Sequence, residues 1–387
     1  MSHPFQPFEL ERIMSEWEQV VDYNLSESGA HPMKLKELLA YDPEVLDLML
    51  EMELGYGYAE GAPALREAIA QWYPGATAEN VLVTVGCIEA NYLTYTTVLQ
   101  PGDGVAIQTP NYLQGWGVAH NIGAVRRTFS LDPNRGWALD IGQLEAAVTG
   151  STKLIAICNP NNPTGHILTP DEEDDLIRVA ERSGAWLLAD EIYAGAERET
   201  DTVTPTLYGR YPKLISAGSL SKAFGLPGLR IGWLVAPKEL ITELWQRHEY
   251  LTISAAKLSS HALAPVALRP DVRASIFART RQFIRTGWTH FAPWIEAHRD
   301  VVSLVPPQAS AIALVRYTLK MDSVSLAHRL IQDASVLIGP GDYFGVPNHI
   351  RISYGLPPDY LCAGLERVSR TLRQIADEER SAAAGGS

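Results

Sequence analysis

Between residues 80 and 240, short runs apolar on both faces alternate with stretches of helical period. The runs are Val81–Val85, Val105–Gln108, Lys153–Cys158, Ala185–Ala189, Leu214–Ala217 and Arg230–Val235. Such runs predict strands of a mostly parallel sheet covered by helices. Ile88–Leu99, Asp171–Ser183 and Lys238–Tyr250 predict the covering helices, so this part reads as a three-layer α/β/α domain. Near residue 270 the rhythm changes. A long amphipathic stretch, Asp271–His298, precedes β-like runs at Ser310–Tyr317, Ser335–Ile338 and Ile350–Tyr354, and a closing helix at Asp359–Asp377. That pattern predicts a smaller α+β domain. The first 45 or so residues carry no sheet pattern and predict an arm joining that domain or a partner subunit. The expected division is an arm at 1–45, a large domain at 46–270, a small domain at 271–380 and a flexible tail at 381–387.

Composition narrows the function more than the fold. The chain has 387 residues and a formal charge of −13, which argues against a nucleic-acid binder, because such proteins need basic stripes to release counterions. No stretch of about 18 apolar residues is present to span a membrane. The N-terminus lacks a basic head followed by an apolar run, so no secretory signal is expected. Three cysteines, Cys87, Cys158 and Cys362, form no CxxC and read as reduced thiols of a cytoplasmic protein. Ten histidines show no HExxH and no Cys/His cluster, so no metal site is expected.

In open α/β sheets ligands lie beyond the carboxyl ends of the strands, and the informative residues follow the apolar runs. Of eight lysines, only Lys222 sits between two apolar strands, in the Gly/Ser-rich turn Gly218–Gly225. A lysine desolvated there offers a nucleophilic amine for a Schiff base, although a lone loop lysine is as readily a solvated one. Ser219 and Arg230 flank it, a hydroxyl and a guanidinium suited to a dianionic phosphate. Gly86-Cys87-Ile88 ends a strand and opens a helix, an anion site of backbone N–H groups and helix dipole. Taken singly, each is equally a structural turn. Asp190 ends another strand, either as a cap or as a carboxylate that would keep a pyridine nitrogen protonated. Tyr193 could donate to a ring oxygen. The Pro/Asn/Gly-dense turn Asn159–Gly165 fixes the Asn162 amide at the same edge, and Tyr112 could stack on a planar ring or lie in the core.

Together these residues carry a resemblance. Asn159–Gly165, Asp190-Glu-Ile-Tyr193 and Ser219-Leu-Ser221-Lys222 followed by Gly228-Leu-Arg230 resemble the class I/II aminotransferase family, the fold type I enzymes dependent on pyridoxal 5′-phosphate. Tyr56–Gly61, Leu65-Arg66, Pro101–Asp103 and Arg351–Ser353 extend the likeness over almost the whole chain. The resemblance implies that Lys222 bonds the cofactor aldehyde and then shuttles protons. It implies that Asp190 faces the pyridinium, that Asn162 and Tyr193 donate to the ring hydroxyl, and that Tyr112 stacks on the ring. Gly86, Cys87, Ile88, Ser219, Ser221 and Arg230 then form the phosphate cup, Tyr56 reaches the phosphate of a neighbouring subunit, and Arg351 grips the substrate α-carboxylate. A shared site of this kind implies a homodimer.

Within the family, Ser26–His31 and Glu249–Ser254 resemble capreomycidine synthase-like enzymes of antibiotic pathways. Related pathway enzymes of that branch, including those on lincosamide routes, perform elimination or oxidative decarboxylation rather than transamination, so β-elimination and decarboxylation-coupled oxidative deamination stand as the alternative to an aminotransferase-like reaction. Pro307-Gln-Ala-Ser310-Ala replaces the usual Gly-Gly pair of the small domain. Gly29, His31 and Gln308–Ala311 are therefore expected to set the substrate's orientation. The rival readings are weaker. The S-x-x-K pattern at Ser219–Lys222 lacks the K-T-G of penicillin-binding hydrolases. A cofactor-binding regulator would need a basic helix-turn-helix, absent from the arm. Gly55–Gly61 follows no convincing strand and is no NAD fingerprint.

Overall fold

The computed structural model describes residues 4–385. Its centre is an eight-stranded sheet, in the order Val81–Thr84, Gly232–Val235, Leu214–Ser219, Trp186–Asp190, Thr152–Cys158, Gly104–Thr109, Val125–Asp132 and Ala138–Leu139. The four strands from Leu214–Ser219 to Gly104–Thr109 pair in parallel, and Val125–Asp132 continues that direction. Gly232–Val235 is antiparallel to both neighbours, so Val81–Thr84 beyond it again points with the majority. The inner strands are buried on both faces, as their unbroken apolar runs require. Helices Cys87–Val98 and Lys238–His248 cover one face, and Pro170–Ser183 covers the other. Pro170–Ser183 starts in a full capping box, with Thr169 and Glu172 each satisfying the other's backbone N–H, and stops at Gly184 in the left-handed conformation.

All six runs expected as strands are strands. The sequence pattern missed Val125–Asp132, which is partly exposed and carries Arg126-Arg127-Thr128 in its middle. Its apolar neighbourhood is supplied by tertiary contact: the Arg126 guanidinium lies 4.2 Å over the Trp116 ring.

The C-terminal part has a four-stranded antiparallel sheet, in the order Val302–Leu304, Ile312–Tyr317, His349–Ser353 and Gly339–Pro340. The helices Pro270–Ala297, Ser323–Ala334 and Pro358–Gly385 pack with it. Of the expected flexible tail at 381–387, residues 381–385 continue the last helix, and residues 386–387 lie outside the described residues.

The arm departs from its expected sheetless form. Pro4 and Gln6 are held at His120 and Asn121, and the helix Glu9–Trp17 buries Leu10 and Ile13. Tyr23–Asn24 then pairs in parallel with Val336–Leu337. Leu25 extends this contact, donating to the Leu337 carbonyl and accepting from Ser353 N–H. A two-residue strand is too short to leave a period in the sequence. Among the described residues no helix is long and apolar enough to cross a membrane, and no group of His, Cys, Asp and Glu could hold a metal.

Candidate active site

Six strands of common direction end at one edge of the large sheet, and the loops after five of them enclose a cavity of about 240 Å³. Cys87, Ile88, Tyr112, Asn162, Asp190, Tyr193, Ser221, Lys222, Arg230 and Arg351 all face it. Most of the expected cofactor set, with the expected substrate residue Arg351, is thus gathered at one place from positions up to 264 apart; Gly86, Ser219 and Tyr56 do not line the cavity.

One end of the cavity is an anion cradle. Gly86 has φ +77° and caps the helix Cys87–Val98. A Cβ there would lie 2.5 Å from Arg230 Nη2, so only glycine lets the guanidinium lie against the helix start. Arg230 itself sits at φ +52° and donates Nη1 to the Pro227 carbonyl at 3.1 Å. Ser219 Oγ accepts the Ser221 N–H at 3.0 Å, which holds the serine turn. A guanidinium, free helix N–H groups and hydroxyls fit a phosphate dianion.

Asp190 lies opposite this cradle. Its carboxylate accepts from Asn91 Nδ2 at 2.9 Å and from the Ile192 N–H at 3.2 Å, and the Cys87 thiol bonds to it. Burial pushes its pKa up, against these donors and the Lys222 charge, and burial pushes the Cys87 thiol up as well. A desolvated carboxylate with one side left open fits a protonated ring nitrogen. Asn91 was not legible in the sequence, lying one helical turn inside an apolar helix.

Lys222 Nζ donates to Glu27 Oε1 at 2.9 Å, with both side chains mostly buried. Glu27 Oε1 also accepts the Gly29 N–H at 2.9 Å. Although burial opposes it, the Lys222 charge and hydrogen bonds hold the Glu27 pKa down at about 2. A Cβ on Gly29 would meet the Ser221 carbonyl at 3.3 Å and Lys222 Cα at 3.6 Å, so the arm runs tight against the lysine's backbone. The contact joins residues 195 apart, and no local pattern could announce Glu27.

Arg351 is 2 % exposed, and burial pushes its pKa down. Nη1 donates to Asn162 Oδ1 at 3.1 Å and Nη2 to the Ser26 carbonyl at 2.5 Å, while its guanidinium lies 4.6 Å over the Phe344 ring. Its Nε is buried without a hydrogen-bond partner, and a Cβ on Gly339 of the small sheet would come within 3.3 Å of it. Tyr193 is buried, bonds to the Ser28 hydroxyl, and has its phenol pushed up by desolvation. Tyr112 donates to Glu11 Oε1 at 2.6 Å and packs edge-on against Phe8. Leu10, Glu11, Met14 and Glu18 of the arm helix close the cavity mouth.

Three expected contributors lie elsewhere. The His31 ring packs 5.5 Å from Phe283, and its carbonyl accepts from Arg279; Gly29 turns inward, and the next turn carries His31 away from the cavity. Gln308–Ala311 does not line the cavity either. Gln308 Oε1 accepts Ile167 N–H, its backbone N–H donates to the Gly165 carbonyl, and Ser310 N–H donates to Ala196. This segment clasps the small sheet to the large domain. Ser310 keeps the positive φ (+74°) of a glycine position, which is how the chain does without a glycine there. Tyr56 is 85 % exposed, away from this chain's own cavity.

A parallel-sheet edge bearing an anion cradle, a buried carboxylate opposite it, and an amine within the same cavity defines a pyridoxal 5′-phosphate enzyme of fold type I. The donor set fits that cofactor at phosphate, ring nitrogen and aldehyde. The chain belongs to the aminotransferase class I and II family, whose pattern matches residues 33–368. It is similar to capreomycidine synthase of Streptomyces vinaceus, with 31 % identity over 90 % of this chain and 89 % of that one. Aspartate aminotransferase of Streptomyces avermitilis is 28 % identical over 83 % and 82 % of the two chains. Among solved structures, a PLP-dependent aminotransferase from Streptococcus suis superposes with TM-score 0.89 and 29 % identity, covering 96 % of this chain and 99 % of that one. The PLP-dependent cyclase OrfR gives TM-score 0.85 and 28 % identity, over 97 % and 99 %.

Proposed function

We propose that the chain acts at the amino group and Cα of an amino acid or amino-acid conjugate, in specialised antibiotic-type metabolism. The observation that carries this reading is the shared cavity of Lys222, Asp190 and Arg351. Bound there, pyridoxal 5′-phosphate supplies an aldehyde for amine capture and an electron-withdrawing ring. The protein's residues do the rest. The Gly86–Ile88 helix start, Ser219, Ser221 and Arg230 bind the phosphate. Asp190, held by Asn91, keeps the ring nitrogen protonated. Asn162 and Tyr193 orient the ring hydroxyl, and Tyr112 covers the ring face. Arg351 holds the α-carboxylate and so decides which Cα bond stands across the ring plane. Lys222 accepts or returns the proton at Cα.

Two outcomes share these residues. The aminotransferase names among the relatives favour transamination. The capreomycidine synthase and cyclase relatives favour elimination- or decarboxylation-type chemistry, and this second reading is supported by the arm closing over the cavity with acidic and apolar side chains.

We further propose the arm, large-domain and small-domain division given above, a cytoplasmic location, and a homodimer in which Tyr56 serves the neighbouring cavity. All three cysteines are free thiols, which supports the location. Leu46, Leu48, Leu50, Leu54, Tyr56 and Tyr58 form a run of exposed apolar side chains, which supports the dimer.

The test is visible absorption of the purified protein. A band that borohydride abolishes, with cofactor mass attached to wild type and none to Lys222→Ala, is expected. A wild-type protein that stays colourless after reconstitution refutes the reading. Product analysis in a single turnover separates the outcomes: amine-form cofactor marks transamination, and released ammonia, thiol or CO₂ marks the others.

A further inference from the structure

We propose that Glu27 is the counter-charge of the Lys222 nitrogen, a positioning residue delivered by the N-terminal arm that orients that nitrogen and favours positive charge on it once the cofactor is linked there. The proposal rests on Lys222 being the cofactor lysine.

Three observations carry it. First, Glu27 Oε1 is bound by Lys222 Nζ and by the Gly29 N–H, both at 2.9 Å, so the carboxylate is oriented and does not wander. Second, the segment that delivers it is tied to the small sheet. Leu25 bonds to Leu337 and Ser353, and the Ser26 carbonyl accepts from Arg351. Third, two other acids of the cavity are already committed to other donors. Asp190 is engaged with Asn91 and Ile192, and Glu11 is engaged with Tyr112. The charged and titratable groups around the pair are Cys87, Cys158, Asp190, Tyr193, Arg230 and Arg351 at the sheet edges, Tyr112, and Glu11 and Glu18 from the arm. Against burial, the Lys222 charge, its hydrogen bond and the Gly29 N–H hold the Glu27 carboxyl down, so in this arrangement Glu27 is an anion.

An anion next to an imine-forming nitrogen favours its protonated form, which is the better electrophile toward an incoming amine. The lysine stem has several rotatable bonds and about 2 kcal/mol of rotamer entropy to lose, so one oriented carboxylate also narrows where its nitrogen sits.

The experiment titrates the visible spectrum of the holoenzyme, loaded with pyridoxal 5′-phosphate, against pH. Glu27→Gln and Glu27→Ala are expected to lower the midpoint of the protonated band by about one unit or more, the usual effect of losing one adjacent opposite charge. Glu27→Asp, which restores the charge, should return it at least halfway, and the exposed-side control Glu16→Gln should leave it in place. Glu27→Gln keeps the side-chain shape and serves if the alanine variant does not fold. Borohydride trapping followed by mass measurement confirms that each variant still carries the cofactor on Lys222. A variant with intact attachment and the wild-type midpoint overturns the proposal. A wild type with no titrating band and no attachment refutes the cofactor reading itself, and the proposal with it.

Discussion

Replacing Arg351 by alanine tests the substrate side of the site. Its guanidinium is buried, desolvated, and held by Asn162, Ser26 and the Phe344 face, on the lining of the cavity. A desolvated charged pair lost on one side costs about 2–5 kcal/mol in transition-state binding. At about 1.4 kcal/mol per decade that is roughly a 30- to 5,000-fold loss in kcat/KM. Because the variant also frees the Ser26 carbonyl, a general loosening of the arm must be separated from a lost carboxylate contact. Comparing each responsive amino acid with its α-carboxamide does this. Wild type is expected to prefer the acid strongly, and Arg351→Ala should respond to acid and amide within a few-fold of each other, as a double-mutant cycle across the contact requires. The assay is the concentration dependence of the cofactor's spectral change over a panel of amino acids, with cofactor affinity measured in parallel. Undiminished preference for the acid in Arg351→Ala would refute the assignment and move the carboxylate site elsewhere.

Two further outcomes concern stability. Burial lifts Glu191 from 4.5 to about 7 in the folded chain, opposed by hydrogen bonds from Leu207, Thr206 and Ser216. A raised acid stabilises fully below the unfolded value and loses that contribution as pH climbs through the folded one. Urea melts should therefore show wild type losing stability on the order of 3 kcal/mol relative to Glu191→Gln between pH 4.5 and 8, and parallel curves would refute the cause. Ser310 holds φ +74° in a buried clasp, so Ser310→Val should cost about 2 kcal/mol or more, while Ser310→Gly should stay within about 1 kcal/mol of wild type in the same melts. Equal effects of the two would mean that backbone strain is not what governs this position.

The sheet and the cofactor side of the cavity were legible because the chain writes them locally. Strands buried on both faces must be apolar throughout, and loops that hold a phosphate need Gly, Ser and Arg in close order. Val81–Thr84 leading to Gly86, and Leu214–Ser219 leading to Lys222, are strand and chemistry in one string. The strand Val125–Asp132 was illegible because its half-exposed face carries Arg126 and Arg127, and Trp116, outside the strand, covers one of them. Glu27 and Asn91 were illegible for a different reason. Each matters only through a partner far off in sequence, Lys222 and Asp190 respectively. His31 shows the converse limit: adjacency to Gly29 in sequence does not make its ring a neighbour of the lysine, since the following turn points it toward Phe283.

The strap formed by residues 4–28 bears on how such a chain could diversify. Leu10, Glu11, Met14, Glu18, Glu27 and Ser28 of that strap line the cavity, whereas the side chains proposed above for the vitamin-derived group come from loops of the large sheet. Repertoire can then change by rewriting a short leading stretch, leaving the expensive machinery behind it untouched. Bulky tags fused ahead of Pro4 would act on the same stretch, and a lost activity in a tagged preparation need not implicate the sheet at all.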